Sequence, residues 1–100
     1  MQESAIGGIV VKSDILEVPR GDTRITFGGS TPFRSGSVPV VTVSIVGADR
    51  ATTLTNISVG IGTDVDANGF TIEVRGYPGN PGTPTGVSRL QVAWLAIGEQ

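Results

Sequence analysis

The side chains best spaced for chemistry form a short acidic run, Asp64-Val65-Asp66-Ala67-Asn68-Gly69. Its oxygens fall on alternate residues with glycine at the sixth place, as at the opening of a calcium loop. Such a loop closes on a bidentate glutamate at its twelfth position, which here is the cation Arg75, while Glu73 comes two residues early on an expected strand. Asp64, Asp66 and Asn68 are therefore weak metal candidates. A hairpin connection whose Asn-Gly step accepts positive φ explains the run better, and no cofactor other than that weak calcium alternative is expected.

Recognition chemistry has other candidates. Arg20-Gly21-Asp22 spells an integrin-type tripeptide, although Pro19-Arg20-Gly21-Asp22 is also an ordinary turn sequence, and the turn is the reading preferred. Asp49 and Arg50 lie in a polar turn. Tyr77 stands at the head of the Pro78-Gly79-Asn80-Pro81-Gly82 loop, where its ring could stack on a sugar and Asn80 could add hydrogen bonds. Asp22, Asp49, Arg50, Tyr77 and Asn80 are the candidate ligand-binding residues.

Catalysis has little to draw on. The chain contains no histidine and no cysteine, which removes the commonest general base, thiolate chemistry and disulfides. A serine nucleophile would have only Lys12 or carboxylates for activation, and no glycine-rich phosphate loop with its lysine follows a strand. No enzymatic activity is expected. A net charge of −2 with scattered arginines argues against nucleic acid as a partner. No stretch approaches the roughly 18 apolar residues of a membrane helix, and Ile9-Val10-Val11 is too short for a signal sequence.

The elements that must position these residues are strands. Fifteen glycines and six prolines in 100 residues imply many turns, and no segment keeps a helical period. Ile6–Val11 reads as a first strand or arm, extended weakly through Ile15, Leu16 and Val18. Thr23–Phe27, Val40–Val46, Asn56–Thr63, the Phe70-Ile72-Val74 segment and the Leu90-Val92-Trp94-Ala96 segment alternate with period two. Phe33, in the long 28–39 loop, is expected to plug the core edge. Five or six such strands mean a small antiparallel sandwich or barrel; residues 1–18 are assigned to a strand or arm for attachment or intersubunit contact, and residues 19–100 to the β-sandwich domain. The second faces of Val40–Val46 and of the last strand are apolar too, which predicts that part of an outer face is covered by another copy.

Several landmarks recur in a familiar order: Ile25-Thr26-Phe27, Val38-Pro39-Val40-Val41 with Val43-Ser44-Ile45, Gly69-Phe70, and Val92-Ala93-Trp94-Leu95-Ala96-Ile97. In order and spacing the stretch from Thr23 to Gly98 resembles the H-type lectin domain of snail agglutinins and discoidins. That resemblance implies an all-β, six-stranded antiparallel sandwich that assembles as a parallel trimer and binds N-acetylgalactosamine near subunit interfaces. The family's sugar-contacting arginine falls at Ile57 or Ser58, its Trp-His pair on Tyr77-Pro78, and a tyrosine near Ser88. Its acidic loop residue has Asp22 as counterpart. The scaffold is matched more closely than the sugar chemistry, and fold alone does not carry function.

Together these features describe a non-enzymatic homotrimer of a phage or viral particle, a tail-fibre tip, head fibre or decoration protein. Its partners would be itself, other virion proteins and a cell-surface glycan, with no nucleic acid and no membrane insertion. A virion location after synthesis in the host cytoplasm follows from that reading. The alternative is a free lectin for N-acetylgalactosamine or galactose, exported without a signal peptide for agglutination or adhesion.

Overall fold

A computed structural model describes residues 1–19, 21–48, 57–76 and 89–100. Among them are seven strands and no helix: β1 (Gln2–Ile6), β2 (Ile9–Pro19), β3 (Gly21–Thr26), β4 (Val40–Ala48), β5 (Ile57–Ile61), β6 (Gly69–Gly76) and β7 (Arg89–Glu99). They form a four-stranded sheet in the order β1-β2-β7-β4 and a three-stranded sheet in the order β3-β6-β5, with every pairing antiparallel.

The strand count corrects the expectation of six. Gly7 and Gly8 take φ of 62° and 83°, so the run Ile6-Gly7-Gly8-Ile9 is a two-residue hairpin turn and not part of one strand. Two consecutive positive φ values suit the twist of the flanking strands and cost glycine little. The hairpin puts β1 on the edge of the four-stranded sheet. β2 then pairs with β7 from Ile9↔Glu99 to Pro19↔Arg89. β1 and β2 thus share a sheet with β7 and β4, and Val10 and Val18 are fully buried in the core between the two sheets.

Period-two alternation in both sheets aims one set of side chains inward. Val10, Val18, Leu90, Val92, Trp94 and Ala96 come from the four-stranded sheet, and Ile25, Phe70, Ile72 and Val74 from the three-stranded one. Val41, Val43, Ile45, Val59 and Ile61 pack against their margin. Each fully buried large apolar side chain contributes about 1.5–3 kcal/mol. Phe27 lies at the centre of an aromatic cluster, with ring centroids 5.0 Å from Phe33 and 5.6 Å from both Phe70 and Trp94. Phe33 is buried as the sequence suggests, and its loop is tied down where Arg34 N–H donates to the Glu99 carbonyl at 2.7 Å.

Gly69 also departs from expectation. Positive φ is confined, among the described residues, to other glycines, so the Asn68-Gly69 step is not a left-handed turn. Glycine is needed there because β6 begins hard against β3: a Cβ would lie 2.1 Å from the Ile25 carbonyl oxygen. The close approach, not the turn, selects the residue.

Candidate functional site

Strand register brings the described residues that flank the predicted recognition segments to one end of the sandwich. Pro19 pairs with Arg89, Ala48 with Leu90, and Ile57 with Gly76, while Gly21 follows Pro19 by two residues. The segments 49–56 and 77–88 therefore both start and finish at strand ends on this side, next to the β2–β3 junction. Asp49, Arg50, Tyr77 and Asn80 belong to those segments and lie outside the described residues, as does Arg20.

Asp22 is described, and it stands on the rim of this end. Its partner across the sheet is Glu73, a like charge directly opposite. Arg75 relieves the repulsion: one guanidinium nitrogen lies 2.7 Å from Asp22 Oδ1 and 3.8 Å from Glu73 Oε1. The hydrogen bond that Arg75 donates to Asp22 raises the Arg75 pKa above its ordinary value, and the charges of Asp22 and Glu73 add to it. All three side chains remain substantially exposed, so the triplet keeps polar groups available to a ligand while its charges are balanced. Sequence reasoning found Asp22 but not Arg75, which stood out only as the wrong residue in a calcium loop.

The acidic run sits at the opposite end. Arg24 Nη1 is 2.8 Å from Asp64 Oδ2, and Arg24 Nη2 is 3.3 Å from Asp66 Oδ1. Asp64 also accepts from the Thr71 hydroxyl at 2.6 Å and the Thr71 amide at 3.1 Å. Asp66 Oδ1 accepts from the Asn68 and Gly69 amides at 2.8 and 3.0 Å. The Thr71 hydroxyl foremost holds the Asp64 carboxyl below its usual range; the Asn68 amide does so for Asp66. The oxygens that would line a calcium loop are thus turned to a guanidinium and to backbone amides. Among the described residues no three acidic side chains converge.

A third cluster was missed in the sequence. Lys12, 2% exposed, projects inward from β2. Its ammonium donates to Glu3 Oε1 at 2.9 Å and to the Gly28 carbonyl, and lies 5.4 Å from the Phe33 ring centre. Glu3 in turn accepts from the Ser30 and Thr31 amides at 2.9 and 3.0 Å. The Lys12 hydrogen bond, then the two amides, pull the Glu3 pKa down to about 2. Lys12 is buried and engaged with Glu3 and the Gly28 carbonyl, so the cluster ties β1 and β2 to the 28–31 loop. The signal lay in the Gly7-Gly8 turn, since a two-residue hairpin there sets Glu3 opposite Lys12 by counting.

The chain matches no protein-family model and no curated protein sequence. Among the solved structures similar to it are two pyocin fibres. One is an N-truncated R1-type pyocin tail fibre, 24% identical with a TM-score of 0.53, the match covering 90% of this chain and 70% of that one. The other is a P. aeruginosa R1 pyocin fibre comprising C-terminal residues 323–701, with the same identity and score; the match covers 90% of this chain and spans 23% of that longer one. At this identity the likeness is one of fold, a two-sheet antiparallel β architecture shared with fibre proteins.

Proposed function

We propose that this chain is a non-enzymatic, homotrimeric β-sandwich module of a phage-type tail fibre that meets a host-surface glycan through loops at one end. The observation that carries the reading is the gathering of the β2–β3 junction and both long connections at a single end of a fold shared with pyocin tail fibres. Such an end can carry variable chemistry while the sheets keep the core constant. Three copies side by side would present three equal loop sets, so that weak individual sugar contacts add to firm adhesion. The Asp22–Arg75–Glu73 rim supplies charged hydrogen-bonding groups beside those loops, and Tyr77 supplies an aromatic face.

The test is a glycan array that includes bacterial surface polysaccharides, read with the purified protein. Binding that weakens in Tyr77→Ala and in Asp22→Ala supports recognition at this end. Binding to N-acetylgalactosamine or galactose alone, shared by unrelated cell types, favours the free lectin. Silence across the array from a stable trimer reduces the role to a structural one.

A further inference from the structure

The outer face of the four-stranded sheet is dressed for contact. Register stacks its outward side chains in rows: Ser4–Val11–Ile97–Val40, then Gln2–Ser13–Leu95–Thr42, then Ile15–Ala93–Ser44. These rows contain no charged side chain, and the rows that bound them carry one glutamate each, Glu99 opposite Ile9 and Glu17 opposite Gln91. Val40 is 69% exposed, Ile15 59%, and Ile9, Val46, Leu95 and Ile97 are also open to solvent. From strand spacing and rise, these three rows cover on the order of 19 by 20 Å, or about 400 Å² in projection. With side-chain relief added, that approaches one partner's share of a small specific interface, about 800 Å². Its relief is uneven. The Val11–Ile97–Val40 row forms a bulky ridge, whereas Ser13, Thr42, Ser44 and Ala93 line a trough of about 510 Å³ flanked by Ile15 and Leu95. At the trough's margin the Met1 ammonium pairs with Asp14 at 3.6 Å.

We infer that this face is where copies of the chain meet, the ridge of one seating in the trough of the next. A surface that is uncharged at its centre and both ridged and troughed suits a second copy of itself, because it carries both the knob and the hole. A ridge-to-trough contact is heterologous, and rotation about an axis closes it into a ring. The number of copies, three, rests on the function proposed above; the identity of the face does not.

Light scattering after size exclusion tests both parts. The unmodified chain should elute with the mass of three chains at micromolar concentration. Leu95→Lys and Ile97→Lys, each burying an unpaired charge in the contact, should weaken association by roughly a hundredfold or more, while far-UV circular dichroism stays unchanged. Thr26→Lys, on the outer face of the other sheet, should leave the mass as it was. A trimer that survives both face variants overturns this inference and leaves the trimer standing. A dimer or tetramer broken by the same variants upholds the face and overturns the count. A monomeric unmodified chain overturns both. Should the lysine variants misfold, carbene footprinting of the unmodified protein decides the matter: Ile15, Leu95 and Ile97 protected at high concentration supports the contact, and equal labelling at all concentrations overturns it.

Discussion

The two sheets turn opposite surfaces to the solvent. The outer face of β3-β6-β5 is a lattice of charge: Asp22, Arg75 and Glu73 near one end, and Arg24 bridging Asp64 and Asp66 near the other. Each of these charges has a partner within the same chain. The centre of the outer face of β1-β2-β7-β4 has rows of valine, isoleucine, leucine, alanine, serine and threonine with no charge among them, and Glu17 and Glu99 stand only in the rows beyond. A surface whose polar groups are satisfied internally gains little from a neighbour, whereas exposed aliphatic rows gain by being covered. The difference is between a face whose charges are balanced within the chain and one whose apolar rows, on the proposal above, a second copy covers.

The largest effect expected comes from the core that both faces share. Phe70→Ala removes a ring packed on Phe27 and Trp94 and should lower unfolding stability by about 3–5 kcal/mol, measured by denaturant titration. If the two faces were separable units, only one part of the transition would move. Next comes Lys12→Ala, beneath the apolar face. It removes a buried cation together with its aliphatic stem, at a cost of about 3 kcal/mol; Lys12→Met, which keeps the stem, should lose less.

Acid should erode the molecule in a defined window. Glu3 is held at about 2 in the folded chain against an ordinary value near 4.5. Its contribution is therefore whole above the unfolded value and is lost as pH falls from about 4.5 towards 2. Melting temperature should drop across that window in the parent protein and drop less steeply in Glu3→Gln. Asp64 and Asp66 are lowered in the same sense, so Asp64→Asn should flatten the remaining slope. The smallest effect belongs to the charged face. Arg24→Ala should cost only a slight fall in melting temperature that shrinks further in salt, since exposed ion pairs are weak and screened. A large loss there would mean that this face, too, depends on its charges for the fold.

Much of this architecture could be read from alternation. Phe70-Ile72-Val74 and Leu90-Val92-Trp94-Ala96 each put their apolar residues on one side, and both sets are buried as that pattern requires. The apolar second side of β4 and β7 was equally plain, because alternation failed there in the apolar direction. What escaped was whatever depended on a turn or on distance along the chain. Ile6-Gly7-Gly8-Ile9 is apolar enough to pass for one strand, and missing that hairpin hid both β1 and the Glu3–Lys12 pair. The Asn68-Gly69 step reads as a positive-φ turn because the backbone of Ile25, more than forty residues earlier, leaves no trace in local sequence. Arg24 is as far from Asp64, so the acidic run looked open when its cation was already present. Asp49, Arg50, Tyr77 and Asn80 fall outside the described residues, and their claim on a ligand still rests on residue type and on the end of the fold from which they spring.

Trp94 is the only tryptophan. It lies 4% exposed among Phe27 and Phe70, and its indole N–H meets no acceptor among the described residues. An indole in so apolar a cage emits towards the blue and shifts red once water reaches it. All tryptophan fluorescence of the protein therefore originates at one point, on the central strand β7, directly beneath the apolar rows. One spectrum reports whether the cage is intact, and its sensitivity to quenchers in the solvent reports whether the sheet above is covered. The molecule carries its own optical gauge of folding and assembly, with no label to attach.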